Sequence, residues 1–208
     1  MTKFKELRIV LLPDEKIQNI ASKLAMRASD CGERQFKLDK THIPHTTIYN
    51  AEYPIKNLTK IYSVIKNCLN IYKQFPIISE GLASGWGYVG INFQRTPALI
   101  SIHEFIVNEA NLLREGHLRD KYNSDIKNKL YTPGEAQNIK NYGYPYVFGL
   151  YRPHMNFIKF DNEPLGFKVM KELEKIFANF KGYVQGIAIA EKGEYGSVSK
   201  FVRKYMFR

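Results

Sequence analysis

A Pro-His pair followed, one residue later, by a short polar side chain occurs twice in this sequence and constrains the fold more than any other feature. The first copy lies in IPHTTIYN, residues 43–50, and the second in RPHMNFIKF, residues 152–160. The two histidines, His45 and His154, are 109 positions apart (154 − 45). Each segment alternates in polarity, which predicts a β-strand in both places. The repetition therefore predicts two halves with related structures.

Hydrophobic periodicity around these strands predicts the other elements. Strand-like runs and helical stripes follow the order β-α-(β)-β-α-β-β-α, then an insert over residues 116–148, then β-α-β-β. In each half the histidine strand is followed by a helix and a pair of strands. We expect an α+β fold of two pseudo-symmetric lobes, each an antiparallel sheet with helices on its outer face, with a cleft between them. The lobes interleave, so residues 1–208 are expected to form a single bilobal domain.

The insert is the part of the chain with the weakest periodicity. Within it, TPGE at residues 132–135 predicts the start of a helix with a capping box, and this helix should end near Gly143. The segment YPYVFGLYRPHMNFIKF, residues 144–160, then predicts a strand. Long connections often form lids or binding loops. The insert contains four tyrosines that could stack on a base: Tyr131, Tyr142, Tyr144 and Tyr146. The alternative is that they pack the insert onto the rest of the protein, and this is favoured for most of them.

Charge balance and cysteine content limit the class of protein. Lysine and arginine number 31 against 20 aspartate and glutamate, so the net charge is +11. This excess favours a polyanionic partner such as nucleic acid or a phosphorylated metabolite, but a lysine-rich solvated surface explains it equally well. Two isolated cysteines, Cys31 and Cys68, predict neither a disulfide framework nor a zinc site. The first apolar run is too short for a signal peptide or a membrane span, so we expect a cytoplasmic protein without a membrane partner.

Alternate side chains of a strand face the same way, so each histidine shares a face with the polar residue two positions later. His45 is paired in this way with Thr47, and His154 with Asn156. If the two strands are equivalent, the imidazoles face each other across a cleft. One imidazole can then take a proton from an attacking water or hydroxyl, and the other can give a proton to the leaving oxygen of a phosphate ester. Thr47 and Asn156 would bind the non-bridging phosphate oxygens.

Other polar residues near the motifs are further candidates. Arg152 precedes the second motif and either contacts phosphate or is simply exposed, and Tyr146 is a candidate substrate contact from the insert. His42 lies just before the first motif and is interpreted as a rim residue. His103 and His117 lack this context and are expected to be structural or surface residues. No spacing of ligand residues predicts a metal site, so neither a metal nor a cofactor is expected.

With these motifs the chain resembles the 2H phosphoesterase superfamily, which includes 2′-5′ RNA ligase-like and cyclic phosphodiesterase proteins. That family carries two His-x-Thr/Ser motifs, one in each lobe of a bilobal α+β fold. HTT at residues 45–47 matches the first motif, whereas HMN at residues 154–156 matches the second in its histidine only. Asn156 occupies a position where threonine or serine is usual, which puts substrate choice or rate in question. The resemblance implies that His45 and His154 are catalytic.

A narrower likeness involves the segment TPGEAQNIKNYGYPYVFGLYRPHM, residues 132–155. It resembles the corresponding segment in a branch of the superfamily that is linked to bacterial phosphonate metabolism. This resemblance implies a small cyclic sugar phosphate as one class of substrate.

The motifs and the resemblance together predict a metal-independent phosphodiesterase. Its substrate is expected to be a cyclic or 2′-5′-linked nucleotide, or a related sugar-phosphate ester. Two alternatives remain open: a non-catalytic RNA- or nucleotide-binding protein of the same fold, and an RNA ligase that runs the reaction in reverse. The expected partner is a small phosphate-ester substrate or an RNA end, and no obligate protein partner is predicted.

Overall fold

The computed structural model describes residues 2–39 and 41–208, which form eight strands and six helices in the predicted order, apart from one additional helix in the insert. The strands are β1 (Phe4–Pro13), β2 (Arg34–Lys37), β3 (Thr46–Pro54), β4 (Phe75–Gly85), β5 (Tyr88–Phe93), β6 (His154–Phe160), β7 (Lys181–Lys192) and β8 (Val198–Met206). The helices are α1 (Glu15–Ser29), α2 (Leu58–Ile71), α3 (Pro97–Leu112), α4 (Asp120–Lys127), α5 (Pro133–Tyr142) and α6 (Glu163–Glu174). The α+β class predicted from the sequence is confirmed.

Helix α1 illustrates how local sequence sets an element and attaches it to the sheet. One carboxylate oxygen of Asp14 accepts the main-chain N–H of Ile17 at 2.9 Å, which caps the helix. The other oxygen accepts the N–H of Tyr183 on β7 at 2.7 Å. The cap therefore also fixes the start of the helix against a strand. The buried face has small and aliphatic side chains at helical spacing: Ile17, Ala21, Leu24, Ala25 and Ala28.

The sheet divides at β7, and this division makes the two lobes. The strands pair antiparallel in the order β2-β6-β5-β4-β7-β1-β3, with β8 as a further partner of β7. β1 occupies one edge of β7. Along the other edge, residues 181–184 pair with β4 and residues 186–192 pair with β8. One lobe is thus β3-β1-β7-β8 and the other is β2-β6-β5-β4, with a cleft between them.

Helices cover the outer faces of both lobes and bury the core. α1 and α6 pack against β6, and α3 packs against β3. The largest fully buried side chains are aromatic, and they remove much of the apolar area from water: Tyr49, Tyr53, Phe93, Phe157 and Phe160. The opposite face of β1 carries a smaller apolar cluster that includes Val10 and Leu12. Within the described residues, no helix is long and apolar enough to cross a membrane.

The insert contains one helix that the sequence predicts and one that it does not. Helix α5 begins after Thr132 with the predicted capping box and ends at Gly143, which adopts a left-handed φ of 67°. Helix α4 escapes prediction because Tyr122 is its one buried residue, and a single apolar position shows no periodicity.

The predicted strand over residues 144–160 is wrong ahead of β6. Only His154–Phe160 pair as a strand, and a short 3-10 turn lies before them. Phe148 has a positive φ of 51°, which a strand does not allow. The carbonyl groups of Phe148 and Gly149 accept hydrogen bonds from the guanidinium of Arg95, at 3.0 and 2.8 Å. A side chain distant in sequence therefore satisfies the backbone that strand pairing would otherwise satisfy.

Gly186 on β7 has no room for a side chain, because a Cβ there would overlap the main-chain oxygen of Tyr205 on β8. We expect Gly186→Ala to lower the free energy of unfolding by about 1–3 kcal/mol, since the β7–β8 pairing must shift to admit the methyl group. Gly85→Ala is the matched control, because a Cβ at Gly85 meets no atom within 4 Å. Its effect should stay within about 0.5 kcal/mol. Urea unfolding measures both variants, and equal stabilities would contradict the β7–β8 register.

Candidate active site

A cleft of about 430 Å³ lies between the lobes and contains every site residue proposed from the sequence. These residues are His45, Thr47, Tyr146, Arg152, His154 and Asn156. The two histidine motifs, distant in sequence, therefore face one cavity, and His42 lines it as well. In the part of the chain that the structure describes, no group of three or more histidine, cysteine or acidic residues is placed to hold a metal ion.

Each imidazole of the motifs is oriented by a carbonyl group two residues earlier in the chain. Nδ1 of His45 lies 2.8 Å from the oxygen of Ile43, and Nδ1 of His154 lies 2.8 Å from the oxygen of Arg152. A carbonyl oxygen only accepts, so Nδ1 carries a proton and donates it in both rings. The other ring nitrogen, Nε2, keeps its lone pair for a proton or a ligand in the cleft.

The proline of each motif explains this geometry. Pro44 and Pro153 stand between the histidine and the residue whose carbonyl group the histidine binds. A residue before proline is restricted to extended conformations, and proline itself has a fixed φ. The chain ahead of each histidine is therefore stiff, and the carbonyl group stays directed toward the ring.

Both histidine strands also contain a one-residue bulge three positions after the histidine. In β3 the pairing with β1 skips Ile48, and in β6 the pairing with β5 skips Phe157. Thr47 and Asn156, directly ahead of these bulges, line the cleft, whereas the bulged residues are fully buried in the core. A bulge changes the face on which the following side chains lie. Each strand can thus present its polar residues to the cleft and its next residues to the core.

Burial and neighbouring positive charge favour the neutral form of both imidazoles. Burial is the main cause that lowers the pKa of His45 to about 4, and the charges of Arg8 and His154 lower it further. The pKa of His154 is also lowered, by burial first and by Arg8 second. The His154 side chain is exposed to the cleft. Because each ring responds to nearby charge, a bound anion can raise these pKa values again.

Arg8 is a site residue that the sequence pattern does not reveal. It lies on β1 within the apolar run LRIVLLP, which by itself predicts only a buried strand. Its guanidinium donates to the carbonyl group of Gly196, lines the cleft, and acts on both histidines through its charge. The sequence nevertheless contained an indication. A charged residue inside a buried strand is unfavourable unless it is paired with an opposite charge or binds a ligand. A fixed guanidinium at this place suits a phosphate group.

Asn156 fits the second motif because the strand beside it carries glycine. Gly90 on β5 pairs with Asn156, and a Cβ at Gly90 would lie 2.7 Å from Oδ1 of that asparagine. The amide, which is longer than the usual threonine or serine, therefore occupies the space above Gly90. Thr47 of the first motif offers a hydroxyl to the same cleft. Both side chains have a hydrogen to donate to an anion.

Some of the tyrosines of the insert line the cleft. Tyr144 and Tyr146 line the cavity and contact each other edge to face, with ring centroids 5.8 Å apart. Tyr131 and Tyr142 instead make edge-on contacts with other aromatic residues of the same region. Packing was favoured for most of the four tyrosines, and Tyr131, Tyr142 and Tyr144 do pack against other residues. Tyr144 also lines the cleft, as does Tyr146. Arg152 is exposed at the cleft wall.

The two histidines that do not line the cleft, His103 and His117, have structural surroundings. His103 is fully buried, where its Nδ1 donates to the carbonyl group of Ile48 at 3.1 Å and its Nε2 accepts the N–H of Phe148 at 2.9 Å. It also stacks on Tyr151 with ring centroids 3.8 Å apart. His103 therefore holds the segment before the second motif against β3. His117 lies outside the cleft, and its Nε2 is 2.7 Å from a carboxylate oxygen of an acidic residue on β3.

Several solved structures share the fold of this chain. The chain is similar to TT0787 of Thermus thermophilus, with a TM-score of 0.59 and 12% identity over 98% of both chains. It is also similar to E. coli LigT complexed with phosphate, with a TM-score of 0.52 and 9% identity over 99% of both chains. LigT complexed with 3′-AMP gives a TM-score of 0.51 and 10% identity over 99% of both chains. These structures are similar to this chain over nearly its whole length, and they confirm the fold that the resemblance to the 2H phosphoesterase superfamily predicts.

A family model identifies the chain more narrowly. Residues 50–197 match the family described as protein of unknown function (DUF1045), and the chain belongs to this family. The matched segment includes the second histidine motif, whereas the first motif, at residues 45–47, lies just ahead of it. No curated protein matches the chain.

We expect a phosphate group in the cleft to raise the pKa of His45. In the free protein this pKa is lowered to about 4, so the ring is neutral at neutral pH and gains its proton only as the pH falls toward that value. A bound dianion offsets the charge of Arg8 and favours the imidazolium, so inorganic phosphate should move the titration to higher pH. NMR titration of the ring C–H signals, with and without phosphate, measures the change.

His103 is the matched control for this titration. Burial also lowers its pKa to about 4, but the ring does not line the cleft. Phosphate should therefore leave its titration unchanged. An unshifted pKa of His45 in saturating phosphate would contradict an anion site beside this histidine.

Proposed function

We propose that this protein is a phosphoesterase that hydrolyses a phosphodiester through its two histidines, without a metal ion. One observation carries the proposal. Two imidazoles, each with Nδ1 bound to a main-chain carbonyl group, share a single cleft with the guanidinium of Arg8. Two proton-transfer groups beside a fixed cation suit a displacement at phosphorus. One group takes a proton from the attacking oxygen, and the other gives a proton to the leaving oxygen.

In the proposed reaction one histidine is the base and the other is the acid. The neutral imidazole takes a proton from water while the water oxygen bonds to phosphorus. The imidazolium gives its proton to the leaving oxygen while the bond between that oxygen and phosphorus breaks. A phosphomonoester and a hydroxyl group result, and the two rings have exchanged protonation states. His45 and His154 have near-equivalent surroundings, so the orientation of the substrate decides which of them is the acid.

The substrate itself favours the protonation state that this reaction requires. In the free cleft, burial and Arg8 lower the pKa of both histidines. A phosphodiester carries one negative charge, which offsets Arg8 and favours a proton on one ring. Repulsion between the two rings then disfavours a second proton. The bound state therefore has one proton shared between two histidines, which supplies one acid and one base.

Three side chains are proposed to bind the non-bridging phosphate oxygens. Arg8 provides a fixed positive charge, and Thr47 and Asn156 each provide a hydrogen-bond donor from a histidine strand. Negative charge on these oxygens increases as the attacking oxygen bonds to phosphorus. Donors that are already in position stabilise this charge without rearranging, which lowers the barrier. Arg152 and Tyr146 are proposed to contact the rest of the substrate from the cleft wall.

The proposed substrate is a cyclic or 2′-5′-linked nucleotide or a related sugar-phosphate ester. LigT of E. coli, which has the same fold, has been solved with phosphate and with 3′-AMP. The net charge of +11 on this chain also favours an anionic ester. We place the enzyme in the cytoplasm, where its free cysteines, Cys31 and Cys68, would stay reduced.

Asn156 favours a second candidate, a non-catalytic RNA- or nucleotide-binding protein of the same fold. Asparagine replaces the threonine or serine that is usual in the second motif. A protein that no longer catalyses the reaction would not need that hydroxyl group. The basic charge of the chain would then serve binding alone. A ligase would use the same residues as the hydrolase in the reverse direction, so it is distinguished by its products.

We expect His45→Ala and His154→Ala each to reduce turnover by about 10²–10⁴-fold, because each variant lacks one of the two proton-transfer groups. Hydrolysis is measured with EDTA present, on 2′,3′-cyclic nucleotides, 2′-5′-linked oligoadenylate and a cyclic ribose phosphate. His117→Gln is the matched control, since His117 lies outside the cleft, and it should retain activity.

Two results would contradict the paired-histidine mechanism: turnover that survives in both alanine variants, and turnover that EDTA abolishes. No turnover on any ester, combined with salt-sensitive RNA binding that the alanine variants retain, would favour the non-catalytic protein.

A matched pair of variants tests the role of the asparagine. Asn156→Thr restores the usual hydroxyl donor, whereas Asn156→Val has nearly the same shape as threonine and no donor. We expect Asn156→Thr to keep most of kcat/KM and Asn156→Val to lower it by about 10²–10³-fold, because one donor to the developing charge is lost. Steady-state kinetics on the best ester of the panel measures both. Equal losses in the two variants would show that the shape of the amide matters and its N–H does not.

A further inference from the structure

Two exposed aromatic residues occupy equivalent places along the cleft. Trp86 is 71% exposed and Tyr195 is 43% exposed, and both line the cavity. Trp86 lies 41 residues after His45 (86 − 45), and Tyr195 lies 41 residues after His154 (195 − 154). Each is in the connection between the two strands that follow the helix of its half, β4–β5 for the first and β7–β8 for the second. The repeated architecture thus places one aromatic ring on each hairpin.

Both aromatic residues adopt a backbone conformation that large side chains disfavour. Trp86 has a φ of 52° and Tyr195 a φ of 50°, and the glycines that follow, Gly87 and Gly196, have φ values of 80° and 71°. Asparagine and glycine are the usual residues for such turns. Trp86 is mostly exposed, so its ring gains little from packing, whereas the ammonium group of Lys159 lies 5.7 Å from the centroid of the Tyr195 ring. Unfavourable conformations that packing does not explain occur preferentially at ligand sites.

Hydrogen bonds hold the backbone of both hairpins in place. The N–H of Trp86 donates to Oε1 of Glu163 at 3.1 Å, and the carbonyl group of Gly87 accepts an N–H from β6 at 2.9 Å. On the second hairpin, the carbonyl group of Tyr195 accepts the hydroxyl of Tyr88 at 2.6 Å. A ligand would therefore meet rings whose backbone is already ordered, which reduces the entropy lost on binding.

The rings lie within reach of a ligand whose phosphate is bound at the histidines. Gly90 on β5 pairs with Asn156 of the second motif, and Trp86 is four residues away along the same hairpin. Four residues of strand span about 13 Å, and the indole side chain shortens the remaining distance. A phosphate site at one end of the cleft and exposed aromatic faces toward the other match a phosphate ester that carries a flat aromatic group.

We propose that Trp86 and Tyr195 determine specificity by stacking on a nucleobase, so that the cleft binds nucleotide esters in preference to sugar phosphates without a base. The inference rests on the phosphate site of the proposed function. Exposed aromatic rings bind any base through its flat face, so the preference is for the presence of a base and not for its identity.

Fluorescence tests the stacking of Trp86 directly, because Trp86 is the only tryptophan in the sequence. Titration with 3′-AMP should change the emission of this residue, whereas ribose 5-phosphate and inorganic phosphate at saturation should leave it nearly unchanged. These probes are not phosphodiesters, so the measurement requires no turnover. Binding of 3′-AMP, detected by calorimetry, without any change in emission would overturn the assignment of Trp86.

Asparagine variants separate stacking from folding. Asparagine suits a positive φ, so Trp86→Asn and Tyr195→Asn should unfold at the wild-type temperature or above it. Each should weaken binding of 3′-AMP by about 5- to 150-fold, which corresponds to the loss of one stacking contact. Binding of ribose 5-phosphate should not change. Tyr183→Asn is the matched control, because Tyr183 is 45% exposed and lies outside the cleft. Wild-type affinity for 3′-AMP in both cleft variants would overturn the proposal.

Kinetics distinguish a failure of this inference from a failure of the proposed function. With a 2′,3′-cyclic nucleotide, both asparagine variants should raise KM and leave kcat nearly unchanged, and with a cyclic ribose phosphate neither value should move. If both esters are hydrolysed equally well by the wild type and by the variants, the phosphodiesterase stands and the stacking proposal is wrong. If no ester is hydrolysed, the proposed function is wrong, and the binding measurements with 3′-AMP still decide whether a base stacks.

Discussion

The cleft depends on strand β7, one edge of which is shared by two partners. β1 pairs along one edge of β7, and the other edge pairs first with β4 and then with β8. Each partner satisfies the backbone groups of a different part of β7, so β4 and β8 continue into different lobes. Close approach of β8 also requires Gly186, where any side chain would meet the backbone of β8. The hydrogen-bonding requirements of one strand thus create the space in which the two histidine motifs meet.

Within this space, short-range features orient the reactive groups. A proline stiffens the chain ahead of His45 and His154, the carbonyl group before it holds Nδ1, and a bulge then returns the strand to the core. Arg8 adds a fixed charge that disfavours protonation of both rings in the free protein. In the proposed reaction, the negative charge of a bound phosphodiester offsets Arg8, so that one of the two histidines becomes protonated. Orientation therefore comes from the motifs, and the protonation state comes from their surroundings.

The parts of the fold that were predictable from the sequence are those with strong local signals. Element order followed from periodicity, and helix α5 followed from its capping box at Thr132. The predicted strand ahead of β6 failed because Arg95 and His103, both distant in sequence, bind the backbone around Phe148. Arg8 was missed because a single charged residue in an apolar run does not alter the period of a strand. In both cases the deciding contact is long-range, and no local pattern encodes it.

The sequence by itself determined the two Pro-His motifs, the alternation that directs Thr47 and Asn156 to the same face as the histidines, and the repeated order of elements around them. These are local properties, because proline geometry and strand alternation act over two or three residues. Only the tertiary structure decided that Arg8, Trp86 and Tyr195 line the cleft with the motifs. Their positions depend on which strands pair and on where the edge of β7 changes partner from β4 to β8. Hydrogen bonds between strands that are far apart in the chain set the distances of these residues from the motifs.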